Sequence, residues 1–358
     1  MNAELIGPAD ARWSRLLGQV PHDVYHLPEY VAFAARHEGG APCAFYVETS
    51  AFGFLLPLLV RELPADLDAP RDWCDASSPY GFYSAPLATD PSDTHALISA
   101  LTAFRDVGRD HGIVSAFIRL HPVRAMSSEA FVGTGRLHTH GPVVYVDLSR
   151  SVEELWSQTR ENHRLGIKKL ARAGLVPSMD RWDLYGDFVR IYRQTMERAS
   201  AASFYFFSDA YFDDLRCTLG DRLHLCSVVS PQGELASGGL FCAMNGTLQY
   251  HLGGTANAYL KQAPSKLMFD FVRRWAKERG GTVLHLGGGL GGVEDSLFHF
   301  KAGFSPLGAV YQTFRMILDE DRYNALHARC KARHAGCGDE PTEFFPVYRR
   351  TCPGGGSP

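Results

Sequence analysis

No long apolar run occurs in this chain: Ala51–Val60 is the best candidate, and it is too short to cross a bilayer. Charge of one sign is also missing. A formal charge of −3 argues against a strongly basic nucleic-acid coat, although a local basic groove stays open. The 8 cysteines (Cys43, Cys74, Cys217, Cys226, Cys242, Cys330, Cys337 and Cys352) form no C-x-x-C pair; His22 and His26 stand four apart and H-A-R-C-K-A-R-H-A-G-C interleaves histidine with cysteine at 327–337, but no C-x-x-C or H-E-x-x-H accompanies them. No metal is therefore expected, and the thiols read as reduced, as in a cytoplasmic protein. The start M-N-A-E-L-I-G-P-A-D lacks the basic and apolar segments of a signal peptide. No heptad run suggests a coiled coil. What is present, 358 residues with 45% hydrophobic and 21% charged, suits one large or two medium globular domains. The tail T-C-P-G-G-G-S-P reads as disordered.

The richest stretch runs from Tyr250 to Phe304. Thr247–Leu252 predicts a strand that Gly253–Gly254 ends sharply. Pro264 and Ser265 open a helix in which Leu267, Phe271, Trp275 and Ala276 share a buried face, and Gly280–Gly281 stops it. Val283–Leu286 is a short apolar strand. This is a βαβ unit with a parallel pair, and ligands in such units sit beyond the carboxyl ends of the strands, here Tyr250–Thr255 and His285–Gly292. Asp295 reads as the N-cap of a short helix that carries Lys301.

Upstream, Pro28 starts a helix, and Pro42–Glu48 and Ala51–Arg61 are strands. Asp66–Asp75 is a loop, and Ser92–Asp110 is a helix with Ser92 as its N-cap. Gly112 ends that helix before strand Val114–Leu120. The order aromatic-glycine segment, loop, helix, glycine stop and strand therefore occurs twice. Tyr80 and Tyr250 are 170 positions apart, and Gly112 and Gly280 are 168 apart, which points to a duplicated α/β unit. Gly141–Leu148 is a strand, Ser151–Gly174 one helix, and Tyr185–Ala201 another. Leu223–Ser230, Leu235–Met244 and Thr247–Leu252 form an antiparallel meander whose Asn245–Gly246 turn is the strongest hairpin signal. Tyr311–Leu318 is a late strand and Asp321–Ala335 a closing helix. Arg160, Arg164, Lys168 and Arg172 fall four apart on one helical face, which reads either as a solvated face or as a seat for an anionic partner.

The meander followed by β-α-β-α ending in Gly-Phe resembles the acyltransferase fold of the GNAT superfamily. Two such units in tandem resemble its Fem-type (FemAB-like) branch, whose members move an amino acid from aminoacyl-tRNA onto an amine. The stretches that carry the likeness are R-E-N-H-R-L-G-I-K-K-L-A-R-A-G, I-Y-R-Q-T-M-E-R, Y-H-L-G-G-T and L-G-G-G-L-G-G-V-E-D-S-L-F-H-F-K-A-G-F, with S-P-Y-G-F-Y-S-A-P-L and F-I-R-L-H-P in the first unit. The fold expected is α/β with mixed sheets: two GNAT-like units and a cleft between them. Residues 1–148, completed by 306–350, would form the first unit, 149–305 the second, and 351–358 the tail.

Two departures bear on the substrate. Ordinary GNAT enzymes hold the coenzyme A pyrophosphate on a glycine-rich loop before the helix that follows the meander. Here no glycine lies between Gly254 and Gly280. The helical-hairpin arm of some Fem-type proteins is also missing.

By resemblance, Lys301 sits at the acyl-transfer centre and holds a phosphate or the oxyanion; otherwise it is a surface lysine. Arg198 and Tyr205 resemble a phosphate clamp, the alternative being a structural salt bridge. Tyr250 and His251 point to opposite faces of their strand, so one is expected in the site. Tyr250 would donate a hydroxyl, and His251 is a base or a buried structural histidine. Tyr80, Arg119 and His121 lie at loop and strand ends, where they bind the acceptor or serve packing and turn structure. Gly287–Gly289 with Gly291–Gly292 lacks G-K-[ST] and instead permits close backbone approach. The expectation is thus an amide-forming aminoacyltransferase without a resident cofactor. Its co-substrate would be aminoacyl-tRNA, with Arg164, Lys168 and Arg172 on tRNA phosphates. Its acceptor would be a cell-wall precursor or a specialised metabolite bearing an amine. The alternatives are an N-acyltransferase using acyl-CoA or a carrier-protein thioester on an amino sugar or small amine, and a non-catalytic binding module.

Overall fold

The computed structural model describes residues 2–81, 85–124, 126–333 and 343–350. In chain order it begins with β1 (Asn2–Ile6), α1 (Ala11–Leu17), α2 (Pro28–Glu38), β2 (Ala41–Glu48) and β3 (Gly53–Glu62). Next come β4 (Cys74–Ser77), β5 (Leu87–Ala88), α3 (Thr94–Asp110), β6 (Ile113–Arg119) and α4 (Ser128–Val132). The middle runs β7 (Arg136–Asp147), α5 (Val152–Gln158), α6 (Glu161–Arg172), β8 (Val176–Met179), α7 (Tyr185–Arg198) and α8 (Asp209–Leu219). Then follow β9 (Leu223–Val229), β10 (Leu235–Met244), β11 (Thr247–Thr255), α9 (Ser265–Glu278), β12 (Val283–Gly288) and α10 (Ser296–Lys301). β13 (Gly308–Ile317) and α11 (Glu320–Arg333) close the sequence. No helix among the described residues is long and apolar enough to cross a membrane.

Backbone contacts divide the chain into two units, Met1–Thr139 with Gln312–Pro358, and His140–Tyr311. In the first, the strands follow the order β1-β2-β3-β4-β6-β13, with β5 also on β3. Helix α3 buries Leu97, Ala100, Leu101 and Phe104 against Phe45, Phe54, Leu56 and Ile118. In the second, the order is β7-β12-β11-β10-β9-β8. Helix α9 buries Leu267, Met268, Val272 and Ala276 against Ile167, Leu170, Phe241 and Leu284.

Each unit runs three antiparallel strands, a helix and a strand parallel to the third: β2-β3-β4, α3, β6 in one, and β9-β10-β11, α9, β12 in the other. The glycine after each helix takes the same left-handed backbone, Gly112 at φ 78° and Gly280 at φ 76°. The Asn245–Gly246 turn has φ 46° and 77°, which the right-handed twist of a two-residue hairpin requires.

Several expectations are corrected. Ser151–Gly174 is two helices, because the Arg160 amide leaves the helical ladder and donates to Gly303 O at 2.8 Å. Arg160 is therefore a cap, not part of the basic face. The N-cap of α3 is Asp93, which accepts from Ala96 N, while the Ser92 hydroxyl donates to Asp90. The buried face of α9 includes Met268, Phe269 and Val272, whereas Phe271 and Trp275 are half-buried. Cys74 and Asp75 belong to strand β4 rather than to a loop, and β1, β8 and α8 were not anticipated. The tail, with Cys352, and Cys337 lie outside the described residues.

Candidate functional site

β11 and β12 pair in parallel at only three positions, Thr247–Val283, Leu248–Leu284 and Gln249–His285. Beyond these, β11 continues to Thr255 and β12 to Gly288 without pairing to each other. Each strand is irregular at that level. Leu252 faces Leu240 and Tyr250 faces Phe241, so His251 is an extra residue in β11. β12 slips between His285 and Gly287 against β7. A bulge bends its strand and adds twist. Two bulges at one level part the strands and open their carboxyl ends.

Tyr250 lies at this opening, its ring 4.9 Å from Phe269 and 5.3 Å from Phe241. A Cβ on Gly253 would collide with the Tyr250 hydroxyl, so the glycine makes room for the ring. Burial among aromatic groups pushes the Tyr250 hydroxyl pKa up, so it remains a protonated donor at neutral pH.

Lys301 ends α10 and is only 7% exposed. Asp295 caps this short helix through Phe298 N, and its carboxylate also accepts from Leu290 N in the glycine loop. Lys301 Nζ donates to Gly288 O at 2.7 Å and sits 5.9 Å from the Tyr250 ring. Among the described residues this is its one hydrogen bond, and no carboxylate pairs with it. Burial lowers its pKa to about 8, against the opposing pull of Asp295. The glycines around it serve close approach: a Cβ on Gly288 would meet Pro142 O at 2.6 Å, and one on Gly289 would strike Asp295.

Helix α6 holds the far end of α10. Arg160 Nη1 donates to His299 O at 3.3 Å, and His163 Nε2 lies 2.9 Å from Phe300 O. The His163 ring packs against Phe300 and Phe304, with Gly303 leaving space for it. Burial lowers the His163 pKa, so the neutral ring can donate to Phe300 O. This support for Lys301 was not foreseen. E-N-H-R shows a histidine on a helix, but its partner lies 137 positions away.

The other expected residues are placed as follows. His251 leaves the Tyr250 side and approaches the Tyr211 hydroxyl of α8 at 3.5 Å; burial lowers its pKa to about 4. Arg198 spends its guanidinium on Asn257, Gln194 O, Thr195 and Thr255 O, which ties α7 to the end of β11. Tyr205 is 38% exposed, and its carbonyl accepts from the Tyr192 hydroxyl. Arg164 is half-buried, while Lys168 and Arg172 are exposed.

Tyr80, Arg119 and His121 lie in the first unit. The Tyr80 backbone is held by Glu38 and Tyr30. Arg119 donates to Ser78 O at 2.6 Å. His121 Nδ1 accepts from Val123 N and Arg124 N, which leaves its Nε2–H facing Asp23 at 2.9 Å. Asp23 was not anticipated. Burial would raise its pKa, but His121 and Arg124 outweigh that and hold it low.

Residues 157–301 match the family model described as acetyltransferase (GNAT) domain. No curated protein matches the chain. Among solved structures it is similar to FemX, at 14% identity over 90% of this chain and 99% of that one, with a TM-score of 0.69. It is also similar to L-PGS from Bacillus licheniformis, at 14% identity over 86% of this chain and 92% of that one, with a TM-score of 0.51. A tandem GNAT protein from the clavulanic acid biosynthesis pathway aligns at 11% identity over 88% of this chain and 99% of that one, with a TM-score of 0.50. At such identities the likeness to solved structures is one of fold. The chain has the Fem-type tandem-GNAT fold with a GNAT domain at 157–301, and the class these define is an acyltransferase.

Proposed function

We propose that this acyltransferase moves an aminoacyl group from aminoacyl-tRNA to an amine and forms an amide. The observation that carries the reading is Lys301, a buried cation with one hydrogen bond at the point where β11 and β12 part. An ammonium has three N–H donors, so two remain for an incoming oxygen.

A neutral amine would attack the ester carbonyl carbon. The new C–N bond would form as the carbonyl π pair moves to oxygen, and the Lys301 ammonium would stabilise that oxyanion. Collapse would break the C–O bond to the ribose, and the proton lost by the amine would end on the departing hydroxyl. The ester is already activated, so positioning supplies much of the rate and no strong base is required. Tyr250 would donate its hydroxyl on the same side.

Two further features support tRNA as donor. Residues Asn257–Gln262 form a 3-10 helix where a pyrophosphate-binding glycine loop would stand. Arg164, Lys168, Lys169 and Arg172 on α6 have no acidic partner among the described residues, and they would meet tRNA phosphates. The acceptor would be a cell-wall precursor or a specialised metabolite, reached in the cytoplasm, where charged tRNA is made.

The test is transfer of labelled amino acids from a charged-tRNA pool to an amine pool, with and without ribonuclease. Ribonuclease-sensitive product is expected, and Lys301→Ala should cut it by about 10²–10³-fold. Product from acyl-CoA or a carrier-protein thioester, with none from tRNA, would overturn the donor.

A further inference from the structure

A groove of about 330 Å³ lies between α5, α6 and α9; neither Lys301 nor Tyr250 lines it, and it shares Lys168 with the basic face of α6. We propose that it binds a small amphipathic carboxylate, an aliphatic body ending in one carboxylate group. Its walls are apolar: Leu155 and Trp156 from α5, Ile167 from α6 and Leu267 from α9. Its volume falls at the lower end of small-ligand sites.

The polar groups select the sign of the ligand. Arg273 lines the groove, although it is only 2% exposed. Its Nη1 donates to Leu155 O and Thr159 Oγ1, and its Nη2 donates to Asp270. Its Nε–H is buried and has no partner among the described residues. A buried donor left unpaired is costly, and an incoming oxygen would relieve that cost. Asp270, the one carboxylate in the lining, gives one oxygen to Arg273 and the other to Arg274. The Lys168 ammonium hangs 5.7 Å from the Trp156 ring with no acidic partner among the described residues.

The groove therefore offers donors and cations but no free carboxylate acceptor. A sugar or nucleobase presents donors of its own, which need acceptors. A carboxylate presents acceptors alone, and the apolar walls suit a hydrocarbon body. Two arginines and a lysine against one aspartate leave the lining net positive, which complements an anion.

The test is calorimetric titration of the full-length protein with octanoate, and with octanol as the uncharged body. No acyl donor or tRNA is present, so the outcome stands apart from the aminoacyl-tRNA reading. Octanoate should bind saturably at one site. Lys168→Glu, an exposed change, should weaken it at least about tenfold. Ala171→Trp, which fills the groove from the helix surface, should abolish binding while the thermal midpoint holds. Octanol should bind about tenfold more weakly than octanoate. The proposal fails if octanoate gives no saturable heat, if both variants bind as the parent does, or if octanol matches octanoate.

Discussion

Both units bring a cation to the carboxyl end of their parallel strand pair, and they use it in opposite ways. In the first unit β4 and β6 stay joined: Ser78 N continues the ladder to Phe117 O, and the Arg119 amide and guanidinium both bond Ser78. In the second, β11 and β12 separate after Gln249, and Lys301 keeps a single bond to Gly288 O. One topology thus gives a sealed seam and a parted one. The sealed seam spends its cation on Ser78, and the parted one leaves two N–H donors of its ammonium without a hydrogen bond among the described residues.

The largest expected effect breaks this contrast directly. Lys301→Met should cut transfer by about 10²–10³-fold, as loss of an oxyanion donor does. It should leave the thermal midpoint unchanged or raise it, because a buried unpaired charge is removed. Arg119→Met should do the reverse to stability, costing about 1–3 kcal/mol by stranding the Ser78 oxygens. Single-turnover rates and thermal unfolding of both variants decide the matter; a destabilised Lys301→Met with an unaffected Arg119→Met would exchange the two roles. Lys301 titrates at about 8, so transfer that depends on its charge should fall as pH rises through that value.

A second effect tests whether the units are equal apart from their seams. Each buries a neutral histidine, His26 in the first and His251 in the second, both lowered by burial to about 4. The unfolded imidazole binds its proton near 6.5, before the folded one does. Stability is therefore complete above that pH and lost as pH falls toward 4, by about 2 kcal/mol per histidine at pH 5. His26→Gln and His251→Gln should each flatten the drop in urea midpoint between pH 7 and pH 5 by a similar amount. A slope that only one variant flattens would show that one unit sets the acid response.

What could be read in advance follows the range of the interactions. The Asn245–Gly246 turn, the glycine stops at 112 and 280 and the Asp295 cap are local, and their chemistry is written in adjacent residues. Lys301 was found through F-K-A-G-F, a resemblance rather than a derivation. The extra residue at His251 was hidden because a bulge depends on the partner strand: Y-H-L-G-G-T looks the same with or without it. The break before α6 is fixed by Gly303 O, which no window around Arg160 contains. D-F-V-R in α9 shows an Asp270–Arg273 pair at helical spacing, but its burial is decided by Leu155 and Thr159 of the preceding helices. Lys168 and Arg172 stood out at once, since a one-faced run of like charges needs no tertiary knowledge.

The smallest effect concerns that basic face. In the first unit, arginines of α1 and β3 are paired: Arg12 with Glu4 and Asp10, Arg15 with Glu48, and Arg61 with Asp75. On α6, Arg164, Lys168, Lys169 and Arg172 have no such partners among the described residues. Like charges on one helix cost a few tenths of a kcal/mol per neighbouring pair. Arg172→Glu should therefore leave stability unchanged or slightly raised while weakening tRNA binding. If Arg172 meets one phosphate, its removal should reduce the slope of log affinity against log salt by about 1 and weaken binding at any tRNA sequence. Filter-binding across a salt series, with Arg15→Glu in the first unit as control, measures that slope. An unchanged slope in Arg172→Glu would make the basic face a solvated one, and the donor would have to be held elsewhere.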